Sequence, residues 1–220
     1  MPHVLCSTTI GPGVDAALGR EFTDVVFRVL GDARGWRKYG YTFQQVAAPR
    51  SGHDALNIRL ETSATAAALC GIPGFSCARI DANDIVISLG NWMGGSKSEL
   101  SRDRYRTYVV NHEVGHILGL QHQQCPIEEC RRRGLDSCPA SVMQQMTRGP
   151  DAIAPCVESD WPLDPSWQID DPRALEFAVR SPFRGILFAV IAVIVLLVVC
   201  LMGILTKKIG PQLRGGSPYS

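Results

Sequence analysis

The first half of the chain switches between two apolar periods. Between Ala16 and Leu30, apolar residues fall at Ala16, Leu18, Phe22, Val25, Val26, Val29 and Leu30, which is one stripe of a helix. Asp15 stands just before it, where a short carboxylate satisfies the first free backbone N–H groups. Gly11-Pro12-Gly13 ends a short strand predicted over His3–Thr9. Further strands are predicted at Tyr41–Val46 and Ala55–Leu60, separated by Pro49-Arg50-Ser51-Gly52. Thr62 or Ser63 starts a short helix through Leu69, and Asp84–Leu89 reads as a strongly apolar strand. A second long helix is predicted over Ser101–Leu118, with Tyr105, Tyr108, Val109, His112, His116 and Leu120 at helical spacing. From Gln121 to Ser181 the chain is proline-rich with few periodic runs, so a loop-rich lower half and then a linker are expected.

A third pattern appears only near the C-terminus. Gly185–Thr206 is uncharged throughout and nearly all Ile, Leu, Val, Ala and Phe. Those residues as a helix span about 33 Å, enough to cross a bilayer core. A buried helix of a globular core is seldom apolar on every face for this length. The expected organisation is therefore a domain over 1–162, a linker over 163–184, one transmembrane helix over 185–206 and a short tail over 207–220. Arg173, Arg180 and Arg184 precede the span and Lys207, Lys208 and Arg214 follow it, so the positive-inside count is tied. Met1–Cys6 has no charged n-region or long apolar stretch, and no cleavable signal is expected there.

Composition changes this picture in one respect. The formal charge is +1 and aromatics are 7%, without basic–aromatic interleaving, so no nucleic-acid partner is expected. Arg131-Arg132-Arg133 is a local run, read first as a solvated loop and otherwise as a processing site or a contact for acidic substrate.

The chemistry is concentrated in the second long helix. Residues 112–122 read His-Glu-Val-Gly-His-Ile-Leu-Gly-Leu-Gln-His, an intact HExxHxxGxxH pattern. His112 and His116 are one helical turn apart, so both imidazoles can reach a single ion. Gly119 can take positive φ, end the helix and return His122 as a third ligand. Three neutral imidazoles leave a fourth tetrahedral position open, the arrangement of a catalytic Zn²⁺ rather than a structural one. Glu113, beside the first ligand, is placed to meet a metal-bound water rather than the metal.

This pattern resembles the metzincin clan of zinc metalloproteases. Ser141-Val142-Met143, 21 residues beyond His122, resembles the clan's methionine turn, with Met143 as the floor of the site and Met146 as its alternative. A closer similarity runs from about Val4 to about Pro162. Asp32–Trp36, Tyr108–His116, Cys125-Pro126, Pro139–Gln145 and Trp161-Pro162 resemble an uncharacterised family of secreted metzincin-like proteins from actinobacteria. The loop between Cys125 and Pro139 departs from it by carrying Cys130 and Cys138. The resemblance implies an α+β fold, with a twisted mixed sheet over an active-site helix. It also implies one catalytic zinc, a protein or peptide substrate, and substrate lying extended along a sheet edge. Trp92, after the apolar strand, then either rims the cleft or covers the core at a strand end.

Seven of the eight cysteines precede the apolar span. Cys70 and Cys77 bracket a tight loop and suggest a small disulfide. Cys125, Cys130, Cys138 and Cys156 permit three connectivities, of which Cys125–Cys156 with Cys130–Cys138 nests one loop in the other. A second zinc on these four is a rival, although their spacings of 5, 8 and 18 contain no CxxC pair. Cys6 is left over, as a buried strand residue or an inhibitory thiolate. Three bridges favour an extracellular or lumenal domain. The functional expectation is a membrane-anchored zinc endopeptidase. The alternatives are a catalytically weak binding or adhesion module and a non-peptidase zinc hydrolase.

Overall fold

The computed structural model describes residues 3–49, 55–94 and 96–172. The expected transmembrane helix and its tail lie outside the described residues. Among the described residues, no helix is long and apolar enough to cross a membrane.

Five strands form one sheet: β1 (His3–Ile10), β2 (Thr42–Gln45), β3 (Ala55–Glu61), β4 (Cys77–Arg79) and β5 (Asp84–Ser88). Their order is β2-β1-β3-β5-β4. The first four in that order pair in parallel, and β4 runs antiparallel along the edge beside β5. The sheet is thus mixed but mostly parallel, which suits strands separated by helical crossovers. A polar ladder crosses it: Ser7 and Thr9 donate to Asn57 Oδ1, and Asn57 Nδ2 donates to Asp84 Oδ1.

Two long helices pack against one another, α1 (Ala16–Gly31) and α4 (Arg102–Ile117). Asp15 caps α1 by accepting from Ala17 and Leu18 N–H at 2.9 and 3.0 Å. The α1 stripe buries Phe22, Val25, Val26, Val29 and Leu30. These join Val4 and Cys6 of β1, Leu56, Ile58 and Leu60 of β3, and Val109, Val110 and Val114 of α4 in one core. Three shorter helices complete the body: α2 (Ser63–Cys70), α3 (Leu89–Trp92) and α5 (Ile127–Arg132). Thr62 caps α2, accepting from Thr65 N–H.

Trp92 belongs to the core and does not rim the cleft. It is fully buried, lies edge-on to Phe22 at 4.9 Å between ring centres, and carries the Arg106 guanidinium over its ring at 4.8 Å. Arg106 in turn pairs with Glu21 at 2.7 Å, so this cluster locks α1, α3 and α4 together. The basic run is a solvated face. Arg131 pairs with Glu128, and Arg132 and Arg133 both pair with Glu129, along or just beyond α5.

The chain beyond Pro162, where the linker was expected to begin, stays bound to the body as far as Asp170. Tyr39 OH donates to Leu163 O at 2.8 Å. Asp170 is fully buried and accepts from Leu163 N–H at 2.8 Å and from Ser141 Oγ. Among the described residues three disulfides are present, Cys70–Cys77, Cys125–Cys156 and Cys130–Cys138, the nested connectivity. Their sulfurs are therefore not available as thiolates to a second zinc. Cys6 is free, buried in β1, and burial pushes its thiol up to about 12, so it is no accessible thiolate.

Candidate metal centre

The last two turns of α4 carry the histidines. Helical spacing sets His112 and His116 on one side, ring centres 4.8 Å apart. Gly119 then takes φ of +98°, a conformation a Cβ would disfavour. Gly119 N–H returns to His116 O and Leu120 N–H to Gly115 O, which closes the helix and turns the chain back. That reversal brings His122 to 4.8 Å from the His116 ring. One nitrogen from each ring lies within 4.8 Å of the others. His116 Nε2 is 3.2 Å from both His112 Nε2 and His122 Nε2.

The tautomers follow from the partners. His112 Nδ1 lies 2.8 Å from Val142 O, and His116 Nδ1 lies 2.8 Å from Leu120 O. A carbonyl can only accept, so both Nδ1 atoms carry the proton and both Nε2 atoms present lone pairs. Two lone pairs facing across 3.2 Å cannot satisfy each other. A cation held between them would satisfy both. Burial, with His116 adding to it, pushes His112 down to about 3. Burial also lowers His116 and His122, the latter further disfavoured by His116 and Arg148. All three rings are therefore neutral at physiological pH, the form a metal requires.

Glu113 is almost wholly buried beside this cluster, and burial pushes its carboxyl up to about 8. The Ala78 N–H of edge strand β4 donates to it. Glu113, His112, His116 and His122 all line an open cleft of about 230 Å³. Its other walls include Ile72, Phe75, Ile80, Thr147 and Arg148.

Met143 is fully buried, and its sulfur packs on α4 at Gly115. A Cβ on Gly115 would sit 2.3 Å from Met143 Sδ and 3.0 Å from Trp36 Cζ2, so this glycine permits the close approach. Met146 is also fully buried, but it is fixed elsewhere: its N–H donates to Tyr108 OH at 3.1 Å. Tyr108 OH donates to Gln144 O at 2.9 Å, so this one hydroxyl of α4 holds the 143–146 turn at two points. From the other side Ser141 Oγ accepts from Met143 N–H at 3.0 Å and donates to Asp170. Sequence reasoning placed Trp36 and Gly115 only within the stretches that carry the resemblance, gave them no packing role, and missed Asp170 and the edge strand at Cys77–Arg79. Only Gly115 carried a local signal, a glycine inside a helix that needs a packing reason.

Among solved structures, the chain is similar to a zinc-dependent peptidase from Methanocorpusculum labreanum (strain Z), at 11% identity and a TM-score of 0.36, over 75% of this chain and 98% of that one. It is also similar to myroilysin, at 15% identity and a TM-score of 0.31, over 58% of each chain. The chain thus spans little more than half the length of myroilysin. Likenesses at this level carry no weight for function. No curated protein matches the chain. Residues 7–156 match the family described as Protein of unknown function (DUF3152), and the chain belongs to that family.

Proposed function

We propose that this member of a family of unknown function is a zinc-dependent endopeptidase. We further propose that it is held at a membrane through residues 185–206, with its body on the extracellular or lumenal side. One observation carries the enzymatic reading: three imidazole Nε2 atoms converge beside a buried glutamate in an open cleft. Zn–N bonds of about 2.05 Å at tetrahedral angles separate ligand nitrogens by roughly 3.3 Å. The 3.2 Å separations fit that value. His112, His116 and His122 would hold the ion. Bound there, zinc would supply a Lewis acid and lower the pKa of its water toward neutrality.

The chain's own groups do the rest. Val142 O and Leu120 O hold two of the rings in the ligating tautomer. Burial alone would keep Glu113 protonated near neutrality; beside a bound cation it would ionise, take the proton of the attacking water and deliver it to the leaving amine. Met143, packed on α4 at Gly115, would shape the floor of the site without lining the cleft. The disulfides support a body outside the reducing cytosol.

The test is elemental analysis of the full-length chain in detergent, beside its His122→Ala variant. About one zinc per chain, sharply reduced in the variant, is the expected result. Well-folded wild-type protein without zinc would overturn the reading.

A further inference from the structure

We propose that the cleft selects peptides carrying an acidic side chain, seated in the hollow between Lys97 and Arg148 beside the candidate metal centre. This rests on the peptidase reading above. A second hollow, lined by Gly74, Phe75, Ser96, Lys97, Thr147 and Arg148, shares Phe75, Thr147 and Arg148 with the histidine cleft. The two form one continuous surface. Among the described residues, Glu113 is the only carboxylate lining either part, and it is buried against the histidines.

Many basic groups elsewhere in the described body are offset by carboxylates, whereas Lys97 and Arg148 sit together in a hollow without one. Arg131, Arg132 and Arg133 are offset by Glu128 and Glu129, and Arg104 and Arg106 by Asp160 and Glu21. Lys97 and Arg148 are exposed and make no ion pair among the described residues. Arg148 stands over the Phe75 ring at 5.4 Å and is close enough to His122 to disfavour its protonation.

The base beneath them is fixed. Lys97 N–H donates to Thr147 O at 3.2 Å, and Thr147 Oγ1 is 3.1 Å from Tyr105 OH on α4. The helix that carries the histidines therefore also sets where the positive charge lies. Two like charges in a concave site focus a field that attracts a carboxylate, and the arginine fork can bind it with both oxygens. The neighbouring wall is apolar: Ile72 and Ile80 are 54% and 45% exposed beside Phe75. The aliphatic stem of a glutamate, or an apolar neighbour in the peptide, lies against that wall.

The experiment uses the full-length chain in detergent and pairs of labelled peptides differing by one Asp/Asn or Glu/Gln exchange. The exchange is scanned along both sides of the cleaved bond. Cleavage is read as kcat/KM, and binding is read separately by fluorescence anisotropy. The acidic member of a pair should be preferred about fivefold, the size of an exposed ion-pair contribution. The preference should shrink in high salt and fall toward one in Lys97→Gln/Arg148→Gln. Efficient cleavage without charge preference, or a preference unchanged in the double variant, would overturn this inference and leave the peptidase reading standing. Charge-selective binding that the double variant abolishes, with no cleavage of any peptide, would support the inference and overturn the peptidase reading.

Discussion

Replacing Gly115 with alanine is the most direct test of how the metal helix and the methionine turn fit together. The new methyl would lie 2.3 Å from Met143 Sδ, 3.2 Å from Met143 Cε and 3.0 Å from Trp36 Cζ2. Ordinary contacts of this kind lie at roughly 3.5–4.0 Å, so the thioether has to retreat by more than about 1 Å. Met143 is fully buried, and Trp36 is pinned by its Nε1 bond to Asn111 O at 3.1 Å. In an open helix interior Gly→Ala stabilises by roughly 0.5–1 kcal/mol. Overpacking a buried site costs roughly 1–3 kcal/mol. The net expectation is a loss of about 1–2 kcal/mol, opposite in sign to helix propensity. Met143 directly follows Val142, whose carbonyl holds His112, so the shift also reaches the candidate ligands. Apparent zinc affinity should fall about tenfold, the lower range for losing such outer support. Urea unfolding and chelator competition on Gly115→Ala, Met143→Ala and the double variant measure both effects. In the Met143→Ala background the Gly115 substitution should cost nothing or stabilise. A more stable Gly115→Ala single variant, or strictly additive losses, would refute the close-packing argument.

Three further outcomes are expected. Glu113→Ala should keep its metal and lose peptide cleavage by roughly 10²–10⁴-fold; retained turnover would remove Glu113 as the base. Burial pushes the Asp170 carboxyl above its ordinary 3.8, against the opposing bonds from Leu163, Ser141 and Val142. Folding thus favours its protonated form: that contribution to stability is full below the unfolded value and is lost as pH rises through the raised folded one. The unfolding free energy of wild type relative to Asp170→Asn should accordingly fall with pH across that window, and a rise would contradict the sign. Cys125→Ser/Cys156→Ser opens a bridge of sequence separation 31 and should destabilise by about 3–4 kcal/mol in thermal or denaturant unfolding. An unchanged midpoint would mean that this bridge does not constrain the unfolded chain.

The parts of the molecule legible in the sequence are those where the determining contacts are local. Asp15, the α1 stripe and the HExxHxxGxxH spacing each act within a turn or two of chain, so one face or one cap could be read from one segment. The edge strand Cys77–Arg79 is too short for an alternating pattern to register, and its three residues are all half-buried. The helix at Ile127–Arg132 presents mainly charged residues and buries only Cys130, so it offered no apolar stripe. Trp92 could be read two ways because the choice depends on Phe22 and Arg106, which lie far away in the chain. Asp170 gave no signal at all. Its role depends on Ser141, 29 residues earlier, and on a run of chain whose composition reads as linker.

The groups that orient His112 and His116 are main-chain carbonyls, those of residues 142 and 120. Every amino acid, proline included, brings a carbonyl oxygen to its position. Substitution at either place can change the side chain but cannot delete the acceptor. Genetic drift there is screened only through packing, while the imidazole tautomers are inherited with the backbone path itself. Loss of the ligand geometry by point mutation then has to come through the histidines themselves or through residues that move that path.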